Sequence, residues 1–98
     1  MNFDQQIAAA IDDLSARTGA EKNQISVLEK QVVSWRNGAL GCPEPGKYYT
    51  QALVTGALIK LNANGAVYQY HAAQGGEPFL CPKKRIEAPA TGEGLSEI

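Results

Sequence analysis

The sequence predicts an α+β domain: an N-terminal helix packed on a small antiparallel sheet of three to five strands, with a long Pro/Gly loop. Three observations lead there. An apolar stripe at three- and four-residue steps opens the chain, which is helical spacing. Asn64-Gly65, flanked by strand-like runs, is the signal of a two-residue hairpin turn. Between them, Trp35 to Tyr49 holds the only Trp, one of two Cys, two of five Pro and three of ten Gly, so the unusual backbone of the chain is gathered in one place.

The helix is expected over residues 2 to 18. Phe3, Ile7, Ala10 or Ile11, and Leu14 make its apolar face. Asn2 with Gln5 resembles a capping box, Asp4 and Arg17 suit the two ends of the helix dipole, and Gly19 suits the C′ position. Residues 20 to 24 read as a polar turn. Ile25 to Trp35 fits either a helical face or two pieces of strand. Its β-branched content favours strand, with a bulge near Lys30. Tyr48 to Val54 alternates loosely and ends at Thr55-Gly56. Ala57 to Ala72 is the hairpin, pairing Leu61 with Tyr68 and Ile59 with Tyr70 on one face, and Lys60 with Gln69 and Leu58 with His71 on the other. The first face is apolar and the second mostly polar, so one side of the sheet is expected to be wet. Ala73 to Pro78 is a turn, and Phe79-Leu80-Cys81 a short last strand stopped by Pro82. Residues 1–85 form the expected domain, and 86–98, rich in Pro, Gly and charge, a mobile tail.

Composition excludes several function classes. Ninety-eight residues with 44% hydrophobic content fit one small domain. A net charge of −1 gives no electrostatic reason for a nucleic-acid partner, and Lys83-Lys84-Arg85 is too short a basic run to supply one. No apolar run reaches the length of a membrane span. The first residues carry Asp4, Asp12 and Asp13 and no basic-then-apolar pattern. The chain as it stands therefore reads as cytoplasmic, or as exported if a signal peptide has been removed.

The loop is predicted to be stiff. Asn37-Gly38 favours a tight turn, and Gly41 permits positive φ. Pro43 and Pro45 fix φ and push Cys42 and Glu44 toward extended conformations, and Pro45-Gly46 centres another turn. Leu40, among turn residues, is either a core plug or an exposed anchor. Tyr48 and Tyr49 point to opposite sides if extended, which leaves one of them exposed beside the loop.

Trp35-x-x-Gly38-x-Leu40-Gly41-Cys42-Pro43-x-Pro45-Gly46-x-x-Tyr49, followed by Tyr68-x-Tyr70-His71 and Cys81, resembles a family of small uncharacterised bacterial domains. The likeness covers most of residues 25 to 81. It implies a domain without an established activity, and exported members among its relatives. This chain departs from the pattern at Ala57, where an aromatic residue is expected, thinning the core. It departs again at Asn37, where Asp is expected.

The chemistry-bearing residues are few. With no Cys-x-x-Cys, the cysteines suggest no zinc ribbon or thioredoxin site. In an exported chain Cys42 and Cys81 would form one disulfide pinning the loop to the last strand, worth about 4 kcal/mol; in a cytosolic chain they would be packed thiols. His71, the only histidine, could join them as a metal or thiol-redox site with Glu44 or Glu77 as a fourth ligand, or rest as a hydrogen-bonded side chain at the sheet surface. A Cys–His nucleophile pair lacks an orienting third group, Asp12-Asp13 cannot share a helix face, and no nucleotide or hydrolase motif occurs. No catalytic residue and no cofactor is expected. The leading expectation is a non-enzymatic module that binds an unidentified protein through Leu40, Glu44, Tyr48 and Tyr49, in one form a peptidase inhibitor. The alternatives are the metal or redox site, and an accessory subunit docking through its helix or tail.

Overall fold

A computed structural model describes residues 1–92. One helix, α1 (Phe3–Thr18), packs on an antiparallel sheet of β1 (Ser26–Trp35), β2 (Val54–Ala63), β3 (Ala66–Ala73) and β4 (Phe79–Cys81), with a two-residue edge strand β5 (Thr91–Gly92). The order across the sheet is β4-β3-β2-β1-β5. The expected α+β architecture is therefore present.

Local chemistry sets the element ends. The Asn2 side chain accepts from the Gln5 N–H at 2.8 Å, while the Gln5 side chain accepts from the Asn2 N–H at 2.9 Å. Gly19 closes α1 with φ 77°. The segment that fits either helix or strand by its residues is strand from Ser26 to Trp35, and its irregularity falls between Val27 and Glu29, leaving Leu28 as the extra residue. Asn64 and Gly65 both take positive φ, at 54° and 81°, as a type I′ turn demands. The four cross-strand pairs expected from that turn all form.

The helix-side core joins Ala10 and Leu14 of α1 to Ile59, Leu61, Ala63 and Tyr70 of the hairpin. Tyr70 also reaches past it: its hydroxyl donates to the Asp13 carboxylate at 2.6 Å, where Arg17 donates as well at 2.5 Å. These bonds, Tyr70 first and then Arg17, hold the Asp13 carboxyl below the usual carboxylate range. Buried Gln6 donates to the carbonyls of Ala73 and Gly76, tying α1 to the β3–β4 turn. Ala57 is buried, yet a cleft of about 160 Å³ lies over it, lined by Phe3, Val32 and Gln74 among others.

Three expectations are corrected. Thr55-Gly56 does not end a strand, because β2 runs through it, pairing Thr55 with Ser34 and Gly56 with Val33 and Ala73. The second face of the sheet is not simply wet: Val33, Trp35 and Leu58 form a second buried cluster there, with Leu40 and Val54 packed on it. Residues 86–92, assigned to the tail by composition, return across the molecule. The Glu87 N–H donates to the Gly41 carbonyl at 2.8 Å, the Ala90 N–H donates to the Ser34 carbonyl at 2.8 Å, and β5 pairs with β1. The rest of the expected tail, 93–98, lies outside the described residues.

Candidate functional site

The second buried cluster is the foot of the long loop, and it begins with the last residue of β1. Trp35 is fully buried, and its indole N–H donates to the Ala72 carbonyl at 3.0 Å. To reach it the ring passes directly over Gly56. A Cβ there would overlap the indole nitrogen and the Ala72 oxygen, which is why a glycine interrupts a strand. Gly41 meets the same ring from the loop side, where a Cβ would overlap the indole carbons and the Glu87 carbonyl. The tryptophan is thus held between two glycines on opposite elements.

His71 lies beside it. The imidazole stacks on Trp35 with centroids 4.4 Å apart and planes at 27°, and Phe79 approaches its edge at 6.2 Å. Nδ1 is 2.7 Å from the Leu40 carbonyl, so it carries the proton and donates. Nε2 is then the acceptor for the Gln69 side-chain N–H at 2.8 Å. Burial pushes the His71 pKa down, outweighing the bond to Leu40, which pulls it up. The histidine is a neutral, fully buried core residue, not a surface one. What it holds is strained backbone: Leu40 has φ 56°, rare for a branched side chain, followed by Gly41 at 73°. The expected Asn37-Gly38 turn takes another form, with the Asn37 side-chain oxygen accepting from the Ala39 N–H at 2.9 Å, and the positive φ values displaced to Leu40 and Gly41.

Cys42 and Cys81 stand at disulfide-bonding distance with Cα atoms 5.9 Å apart, joining the loop foot to β4. Both are buried. The Arg85 guanidinium donates to the Cys42 sulfur at 3.5 Å. With the sulfurs facing each other and both nitrogens of His71 engaged, the trio offers no free ligand atoms. Among the described residues no group of three or more His, Cys, Asp or Glu is placed to hold a metal ion.

Beyond the foot, the loop tip is open. The Gly38 N–H donates to the Thr50 carbonyl at 2.9 Å and closes the loop across its neck. The Tyr49 hydroxyl accepts from the Glu44 N–H at 3.0 Å, and the Lys47 N–H donates to the Glu44 carbonyl at 3.2 Å. Glu44 is exposed and pairs with the Lys47 ammonium at 3.3 Å, a surface contact worth little by itself. Tyr48 is 100% exposed and Tyr49 half-buried. Of the four expected anchors, Glu44, Tyr48 and Tyr49 therefore sit together at the tip. Leu40 sits at the foot, half-buried against the Trp35 cluster as a plug. Trp35, His71 and Gly56 were not expected to act as one unit. The alternation that puts Leu58 and His71 on one face was the available signal. Lys83-Lys84-Arg85 forms a single 3-10 turn after β4.

Among the described residues no helix is long and apolar enough to cross a membrane. No curated protein and no solved structure matches the chain. A family model described as a domain of unknown function (DUF8738) matches residues 7–81, a stretch that holds most of α1, Trp35, the loop, His71 and both cysteines. The chain belongs to that family, DUF8738.

Proposed function

We propose that the protein is a non-enzymatic binding module that presents the loop tip, Glu44 to Tyr49, to another protein. One observation carries this reading: a fully exposed aromatic side chain, Tyr48, stands on backbone tethered on both sides. Large exposed apolar side chains on mobile loops lose entropy when bound, whereas a tethered one has already lost it. Arrangement of the foot favours the same reading, since its bonds to His71, Glu87 and Cys81 act on residues 40 to 42 and leave the tip free of structural duty.

A photo-crosslinking residue at position 48, used in the native host, tests it. A discrete adduct is expected at 48 and none from a control site at Glu21, on the far polar turn. Tyr48→Ala and Glu44→Ala should remove the interaction while leaving the melting temperature within about 1 °C, a shift well below 1 kcal/mol. Equal crosslinking at both sites, or a large drop in stability, would make the tip structural. The peptidase-inhibitor form adds one requirement: the loop must inhibit a purified peptidase that accepts an aromatic side chain, and lose that inhibition in Tyr48→Ala.

A further inference from the structure

The outer edge of β3 is only partly covered. β4 pairs with Gln69, Tyr70 and His71 and no further. Pro82 then diverts the chain: the Arg85 N–H donates to the Pro82 carbonyl at 2.9 Å, and residues 83–85 turn away. The hairpin decides what this leaves bare. Ala63 and Ala66 flank the two-residue turn and make its hydrogen-bonded pair, so the next pair, Asn62 and Val67, is the non-bonded kind. Val67 therefore aims both its N–H and its C=O away from β2, toward the place where β4 has stopped. Among the described residues no strand or loop backbone meets them. Beside them lies a groove of about 300 Å³, lined by Val67, Tyr68, Leu80, Pro82 and Lys83 among others. Its walls are mainly apolar side chains, Val67 is 39% exposed, and Lys83 at its end is exposed.

We propose that this gap is a second binding site, for a short extended acidic peptide. One peptide residue would take the strand position opposite Val67, which Lys83 gives up when the chain turns away after Pro82, and exchange both backbone bonds with Val67. An adjoining apolar side chain would enter the groove, and an acidic one would meet Lys83. A donor and an acceptor on one residue of a strand edge fit a peptide backbone, which carries the same pair, and Lys83 sets the sign of its charge. Two backbone bonds and one side chain make a weak site, with Kd on the order of 0.1 mM. Pro and Lys on an edge also guard against strand pairing, and a pure guard would show no saturable site.

The probe is a capped pentapeptide of alternating Glu and Val, titrated into ¹⁵N-labelled protein, with a Lys/Val peptide as control. Saturable amide shifts are expected at Val67, Tyr68, Leu80 and Lys83 with the acidic peptide only. Lys83→Glu should weaken binding at least fivefold with an unchanged melting temperature, and Val67→Pro, which removes the edge donor and fixes φ, should abolish the shifts. Absence of saturable shifts, equal binding of both peptides, or undiminished binding by a folded Lys83→Glu variant overturns the proposal. The Lys83→Glu arm decides the matter even if Val67→Pro fails to fold.

Discussion

On the helix side of the sheet, Leu14, Ile59, Leu61 and Tyr70 pack by area, with polar links only at the margins, from Tyr70 to Asp13 and from Gln6 to the β3–β4 turn. On the loop side, Trp35, Leu58 and His71 pack under a loop that is fastened by directional bonds: indole to Ala72, imidazole to Leu40, Glu87 to Gly41, and sulfur to sulfur. The first kind of interior tolerates a change of apolar side chain if volume is kept. The second does not, because each partner fixes a particular carbonyl or a missing Cβ. A helix can cover a sheet with generic surface, whereas an irregular loop must have its backbone groups satisfied one at a time.

The largest test sets the two sides against each other. Trp35→Ala and Leu14→Ala should each cost about 3–5 kcal/mol by denaturant titration. Only Trp35→Ala should also speed amide exchange at Gly38 and Cys42; equal loss of loop protection in both variants would mean that the two cores are one cooperative unit. Next, replacing Cys42 and Cys81 together by Ala should cost about 4 kcal/mol, read as a fall in melting temperature matched by the effect of a reductant on the wild type. A fall seen in the variant and not on reduction would show that the sulfurs stabilise as packed thiols. Gly56→Ala should cost about 1–3 kcal/mol, with a red-shifted Trp35 emission as the ring is displaced; an unshifted spectrum would move the strain elsewhere.

The smallest effect is pH-dependent and confined to the loop side. His71 is held neutral, with its pKa lowered from 6.5 in the folded state, so the unfolded chain binds a proton more readily. Its contribution to stability is complete above pH 6.5 and declines as the pH falls from there toward the folded value. Asp13 is also depressed, but its contribution persists down to the ordinary aspartate pKa of 3.8 and is lost only below it. Stability should thus begin to drop below pH 6.5 through His71 and drop further below 3.8 through Asp13, and His71→Gln should remove the first onset alone. Persistence of that onset in the variant would assign it to another group.

How much of this was legible depends on the distance over which each choice is made. The α1 caps, the Asn64-Gly65 turn and the hairpin register follow from neighbours in sequence, and the residues state them openly. The bulge was legible in kind, but two positions off, because a strand pattern does not say which residue is skipped. Gly56 read as a strand end because nothing nearby in sequence announces that an indole lies over it. The loop-side core was missed for a related reason: alternation sorts residues by face, but it cannot show that a loop and a returning segment will cover the polar-looking one. Residues 86–92 look like a tail by composition and are held by backbone bonds, which composition does not encode. At the tip, the sequence isolated Glu44, Tyr48 and Tyr49 together, whereas the role of Leu40 turned on a positive φ that only Gly41 had suggested.

The returning segment has a consequence for assembly. β1 is synthesised early, yet its outer edge waits for β5, which reaches it only after the chain has left β4 at the opposite edge and passed over the loop foot. Among the described residues β5 pairs with Val33 and Ser34 alone, so the outer edge of β1 from Ser26 to Val32 meets no strand there, and Val27, Leu28 and Val32 are exposed in the folded protein. The Leu28 bulge, by twisting the strand out of flatness, makes that edge a poor template for a strand of another chain.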